Sequence, residues 1–354
     1  MCGIAGFFNG REDYRAGEGE GKWKGVLRKM NRSQKHRGPD EDGIFLAGHC
    51  GLAHVRLSII DLLTGQQPMI RREGEYEWAI AYNGEIYNMD TLKKELEAEG
   101  EKFRTDSDTE VLLVGYMRYG SDFVKRLNGI FAFGIWDGRL QKLFLFRDRA
   151  GVKPCFYTRL GDTVIFSSEI KGLFCFPGIE PVVDKEGLCE VLGLGPAKTY
   201  GKGVFRGVLE VQPGHFLECG DGICREHCYW RLESRPHEDS WDETVEKMQY
   251  LIEDSVKMQM LSDVPICTFL SGGVDSSLVT AICSKELRKK GKQLDTYSFD
   301  FKDNDVNFRA NAFQPSQDRP WVDVVKEQTK TRHHYLECRN EELFDYLFEA
   351  VRAR

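Results

Sequence analysis

The chain has 354 residues, 41% hydrophobic and 30% charged, with 49 basic and 56 acidic side chains for a net charge of −7. That length predicts two domains, and the composition is that of an ordinary soluble protein. The mild acidity argues against a nucleic-acid partner, which needs a clustered basic face, and no run approaches the ~18 consecutive apolar residues of a membrane helix.

MCGIAGFFNG opens the chain without a basic n-region, and its apolar run is too short for a secretory signal, so a cytoplasmic protein is expected. Cys2 is small, so removal of Met1 is expected. The freed α-amine, ordinarily near ~7.7–8.0, then shares one residue with a thiol, which unites base and nucleophile. On position alone an incidental strand cysteine is the commoner outcome. The stretch 11–25 is Gly-rich and charged and reads as an exposed loop.

Strand signals dense in aromatic and β-branched residues follow at 79–88, 131–137, 142–148, 155–159 and 163–168. Asp137-Gly138 and Gly161-Asp162 mark hairpin turns among them. Two helices interrupt the run. One is expected after Asp90 as N-cap, pairing Leu92 with Leu96 before Gly100; the other spans 109–119 and ends at Gly120. The 11 cysteines lie at irregular spacing and, without an export signal, read as reduced thiols. Cys219, Cys224 and Cys228, with His215 and His227, lack the paired Cys-x-x-Cys knuckles of a zinc site; half-buried strand cysteines are the reading, and no structural metal is expected.

Composition shifts near Arg231, and the polar segment 231–241, beginning RLESRPHEDS, reads as a linker. Beyond it Val245, Met248, Leu251, Ile252 and Ser255 line one helical face. VPICTFL at 264–270 reads as a buried strand, then come a Gly-rich turn, a helix from about Asp275 and a strand TYSFDF at 296–301. That succession predicts a parallel α/β sheet. In LSGGVDSS, 270–277, Gly272 and Gly273 let the backbone approach a phosphate. Ser271, Ser276 and Ser277 add hydroxyl donors, and Asp275 implies a Mg²⁺ between itself and the anion. The lysine of the Walker loop is missing.

MCGIAGFF, RGPD (37–40), RLSIID (56–61), NGEIYN (83–88), SDTE (107–110) and RDRAGVKP (147–154) occur in this order across more than 150 residues. In them the sequence resembles the class II glutamine amidotransferases, whose N-terminal-nucleophile domain begins with this cysteine. The resemblance implies an α+β sandwich, αββα with two antiparallel sheets, over 1–230. It implies Cys2 as nucleophile, with the Asn83 side-chain amide and the Gly84 N–H as oxyanion hole. It also implies a glutamine pocket in which Arg56 takes the carboxylate and Asp108 the ammonium, completed by Glu85 and the backbone of Leu57 and Ile59. RGPD is read as turn architecture, and Asn83-Gly84 alone would read as a hairpin turn.

LSGGVDSS resembles the loop of the PP-loop ATP pyrophosphatases, which implies Leu270 on the adenine–ribose side, Phe299 toward adenine through its backbone, and an incomplete α/β domain over 242–354. A class II glutaminase followed by a PP-loop domain resembles the glutamine-hydrolysing asparagine synthetase family. That implies ATP with Mg²⁺, glutamine and aspartate as substrates, a β-aspartyl-AMP intermediate, and ammonia displacing AMP to give asparagine, glutamate and diphosphate. The family tends to dimerise, so a homodimer is expected. The chain stops at Arg354, inside a helix expected from near Asn340, so only the glutaminase half is expected to be complete. Two alternatives stand: another carboxylate acceptor, or a non-catalytic glutamine-binding fragment. The intact set Cys2, Arg56, Asn83 and Asp108 speaks against the fragment.

Overall fold

The computed structural model describes residues 1–17, 19–195, 197–312 and 315–353. The chain divides into two units, 1–234 and 235–354, each folded around its own sheets. The first unit opens with β1 (Gly3–Phe8), α1 (Gly19–Ser33), β2 (Glu41–Leu46) and β3 (Cys50–Arg56). It continues through β4 (Met69–Glu73), β5 (Tyr76–Ile86), α2 (Met89–Ala98) and α3 (Asp108–Tyr119) to β6 (Gly129–Asp137) and β7 (Lys142–Arg147). Then come β8 (Phe156–Leu160), β9 (Thr163–Ser167), α4 (Ile170–Leu173), α5 (Lys185–Leu194), β10 (Leu209–Glu210), β11 (His215–Gly220) and β12 (Ile223–Cys228).

These strands form two six-stranded antiparallel sheets, ordered β10-β8-β9-β1-β3-β2 and β12-β11-β7-β6-β5-β4. Period-two alternation decides which faces meet. Ile4, Phe8 and Leu52 of the first sheet pack against Ala79, Ala81, Ala132, Leu143 and Leu145 of the second. The small alanines let the layers approach. On the outer faces, Val26, Leu27 and Met30 of α1 cover Phe7 and Ala53, while Leu112 and Leu113 of α3 share a core with Ile80 and Phe133. The result is the αββα sandwich expected from the motifs.

Three local expectations are corrected. Helix α1 begins at Gly19, so the second half of 11–25 is not loop; Val26, Leu27 and Met30 recur at helical spacing and are buried, which outweighs the glycines. Glu18 lies outside the described residues. Helix α2 starts earlier than Asp90: Asn88 is its N-cap, with the side chain committed to Arg126 O and Asn128 N–H instead of the helix. Asn83 and Gly84 sit inside β5, so the hairpin turn that the dipeptide alone would suggest is not formed. Cys219 and Cys224, directly opposed in the β11–β12 register, are joined as a disulfide, so the thiols are not all reduced. At Gly161-Asp162 the hairpin is as expected, with Gly161 at φ +59° where a side chain would be strained.

The second unit contains α6 (Trp241–Met258), β13 (Cys267–Phe269), α7 (Val274–Lys289), β14 (Asp295–Phe301), α8 (Asn304–Asn307) and α9 (Arg319–Thr329). It ends with β15 (Arg332–Cys338), α10 (Asn340–Asp345) and α11 (Leu347–Ala353). The three strands form a parallel sheet in the order β13-β14-β15. Its small core gathers Cys283, Leu287 and Leu294, with Val256 of α6 against them. The apolar stripe expected on α6 is not buried: Val245, Met248 and Leu251 are exposed.

Candidate active site

Pairing of β1 with β3 sets Gly3 opposite Val55, which brings Cys2 beside the end of β3. The Leu57 N–H donates to Cys2 Sγ at 3.4 Å, and the sulfur lies 3.7 Å from the Leu57 carbonyl. Burial pushes the Cys2 thiol up, against the Leu57 hydrogen bond and the Arg56 charge that favour the thiolate. A sulfur that keeps its proton needs a base. The terminal amine at Met1 is held below its ordinary value, chiefly by burial, with the Cys2 sulfur opposing.

One cavity is walled by Met1, Cys2, Arg56, Leu57, Ile59, Tyr82, Asn83, Gly84, Glu85, Asp108 and Lys153, so every glutaminase residue expected from the motifs converges on it. Asn83 is 1% exposed, and its Nδ2 has no hydrogen-bond partner among the described residues. Such buried donors are rare and costly. Beside it Gly84 has to be glycine, because a Cβ would lie 2.3 Å from Ile130 O on β6.

Asp108 is the first residue of α3, whose N-cap Ser107 accepts from the Thr109 N–H. Its Oδ2 accepts from Tyr82 O–H at 2.8 Å and from the Ile86 N–H at 3.2 Å. Burial nevertheless pushes the carboxyl up to about 6. Glu85 is likewise raised, by burial first, with Lys153 opposing. If Asp108 grips an ammonium, a proton competes for the same oxygen. KM for the amine-bearing substrate is therefore expected to be flat above pH 7 and to rise about tenfold per pH unit well below 6. Steady-state KM between pH 5 and 8 checks this, and Asp108→Asn should lose that dependence.

RGPD does more than turn. Arg37 Nε donates to Cys2 O at 3.0 Å while Nη1 pairs with Glu169. Asp40 accepts from the Ser58 N–H at 2.8 Å, and its own N–H donates to Arg56 O. A Cβ on Gly38 would lie 2.3 Å from Arg56 N, so the loop sits directly on β3. Gly38→Ala is expected to cost about 1–3 kcal/mol by overpacking, read as a lower thermal midpoint.

RLSIID folds back on its own arginine. Arg56 Nη2 donates to Ile60 O at 3.2 Å and to Asp61 O. The Asp61 carboxylate in turn accepts from the Asp106 N–H at 3.1 Å, tying the Arg56 loop to the Asp108 loop. RDRAGVKP is braced the same way. Asp148 accepts from the N–H groups of Phe131, Ala150, Val152 and Lys153, and Arg147 donates to Lys153 O, Val211 O and Gly151 O. This fixed loop presents Lys153, 6% exposed and lowered by burial, at the cavity wall. Lys153, Gln67 and Tyr82 were not singled out from sequence; for Lys153 the motif itself was the signal.

In the second unit, Leu270, Ser271, Ser276 and Phe299 line a cavity of about 630 Å³ at the C-terminal ends of β13 and β14, with Asp300 and Arg319. Gly272, Gly273, Asp275 and Ser277 lie in the adjoining turn and the first turn of α7. Gly272 has φ +78°, and a Cβ there would lie 2.6 Å from Trp321 Cβ. Ser276 Oγ bonds Ser271 Oγ at 3.0 Å, whereas the buried Ser277 Oγ has no partner among the described residues.

Residues 1–230 match the family described as "Glutamine amidotransferase domain", and 247–354 that described as "Asparagine synthase". The chain is 43% identical to glutamine-hydrolyzing asparagine synthetase 3 of Bacillus subtilis, over 99% of this chain and 56% of that protein. It is 36% identical to a putative glutamine-hydrolyzing asparagine synthetase 2 of Methanocaldococcus jannaschii, over 98% and 67% respectively. Amidase chry2 of Gibberella zeae is 36% identical over 83% of this chain and 44% of its own length. The chain thus spans about half to two-thirds of the length of these relatives.

Proposed function

The chain belongs to the glutamine-hydrolysing asparagine synthetase family, and from that premise we propose that residues 1–230 are a glutaminase and 242–354 part of an ATP-dependent synthetase domain, joined by 231–241. The observation that carries the glutaminase reading is the buried, unpartnered Asn83 amide on the wall that also holds Cys2 Sγ. Such a donor suits a charge that exists only while the reaction is under way.

With Met1 removed, the Cys2 amine takes the thiol proton and sulfur attacks the glutamine amide carbon. The C–S bond forms, and Asn83 Nδ2 with the Gly84 N–H receives the oxyanion. Collapse breaks the C–N bond, the amine returns its proton to the leaving nitrogen, and ammonia departs. Water then hydrolyses the thioester to glutamate by the same route. Arg56 holds the substrate carboxylate, Asp108 and Glu85 its ammonium, and Leu57 and Ile59 its flank.

For the second half we propose adenylation of aspartate at its β-carboxylate by ATP, with ammonia displacing AMP to give asparagine. The open space beside the Gly273 backbone, where a Cβ would meet only Ser271 Oγ at 3.5 Å, and the Ser271 and Ser276 hydroxyls on the cavity wall fit a phosphate group. Asp275 fits as the carboxylate toward a Mg²⁺ held mainly by phosphate oxygens, an ion that needs only one or two protein carboxylates and screens phosphate charge when bound. We extend the proposal to a cytoplasmic homodimer; no described helix is long and apolar enough to cross a membrane.

Covalent labelling by a glutamine-like diazoketone tests the first half: Cys2 is expected to take one equivalent and Cys2→Ala none. An unlabelled Cys2 would end the glutaminase reading in favour of a glutamine-binding fragment. Aspartate-dependent pyrophosphate release tests the acceptor, and release dependent on some other carboxylate would replace aspartate.

A further inference from the structure

Arg56 meets the cavity already engaged on one side. Its Nη1 donates to Glu41 Oε2 at 2.9 Å, while Nη2 is held by the carbonyls of Ile60 and Asp61. Glu41 reaches it because β2 and β3 pair with Glu41 directly opposite Arg56. The Arg56 side chain is 5% exposed and that of Glu41 38%. The pair thus forms part of the wall between the cavity around Cys2 and a second, acidic cavity lined by Glu41, Asp42, His54 and Gln67. Gly65 closes the other side, since a Cβ there would lie 2.6 Å from Arg56 Nη2.

We propose that Glu41 is the positioning residue that makes this pocket select an α-carboxylate; the proposal rests on the glutaminase reading above. A guanidinium presents five donors in one rigid plane. With Nη1 and Nη2 each held by fixed oxygens, that plane is set before substrate arrives, and a carboxylate meets a charge that is already oriented. Glu41 also matches the buried charge while the pocket is empty. Being part-exposed, its own ion pair is screened and does not outcompete a carboxylate bound inside.

Glu41→Ala is expected to raise KM for glutamine about tenfold or more with kcat within about threefold, because Cys2 and Asn83 are untouched while the fork swings. Glu41→Gln keeps an acceptor for Nη1 and is expected within about threefold of the parent in both constants. 4-Aminobutanamide, which is glutamine without its α-carboxylate, separates a fork effect from general damage: its kcat/KM is expected to be the same in parent and Glu41→Ala. An unchanged glutamine KM in Glu41→Ala, or equal losses for both amides, overturns the proposal. Gly65→Ala presses Nη2 from the opposite side and is expected to give the same selective loss, which keeps the test decisive should Glu41→Ala not fold. A parent chain that releases no glutamate from glutamine overturns the glutaminase reading and this proposal together. A parent that turns over while the variants show no selective change overturns this proposal alone.

Discussion

Cys2→Ala is expected to reduce glutamine hydrolysis by about four orders of magnitude or more, the scale on which removing a covalent nucleophile acts. Nothing else on the cavity wall can replace the sulfur. Ser107 is committed to capping α3, and the Thr109 hydroxyl accepts from Gln67. Retention of Met1 is expected to be nearly as damaging, for two separable reasons. The Cys2 nitrogen becomes an amide with no basicity, while burial keeps the thiol protonated and in need of a base. Met1 itself also lines the cavity beside Cys2, so its retention narrows the space in which the proposed substrate would sit. Intact-mass measurement of the N-terminus beside a glutamate-release assay reads both. A population that keeps Met1 and turns over glutamine at the full rate would show that the base lies elsewhere, and Lys153 at the same wall would be the next residue to replace.

Which residues meet at the cavity was legible through motif order: resemblance to the amidotransferase motifs singles out Cys2, Arg56, Asn83 and Asp108, and all four line one cavity. The braces were not legible, because they exist only through register. Glu41 meets Arg56 across β2 and β3, and Arg37 reaches Cys2 O over 35 positions. Asp61 joins two loops 45 positions apart. No local pattern carries those distances. The same holds for the disulfide: Cys219 and Cys224 become partners only once β11 and β12 are paired. Helix α1 was hidden for another reason, since three glycines at its start masked the Val26, Leu27, Met30 spacing that tertiary burial rewards.

Asn83→Ala is expected to lower kcat for glutamine hydrolysis about 10²–10³-fold, roughly 2.7–4 kcal/mol of transition-state stabilisation, with KM changed little. The split follows from where the amide stands. Asn83 lines the Cys2 cavity and its Nδ2 has no partner among the described residues, so on the proposed reading it holds nothing in the resting enzyme and acts on the charge that develops after attack. A buried donor left unpaired costs about 1–3 kcal/mol. Deleting it removes that penalty, offset by the void that alanine leaves, and the thermal midpoint is therefore expected to stay close to the parent's while activity collapses. Gly84 cannot be tested the same way, because a Cβ would strike Ile130 O and move the strand itself. If Asn83→Ala kept kcat within about threefold, the side-chain amide would have no part in the reaction, and the oxyanion would have to rest on backbone N–H groups alone.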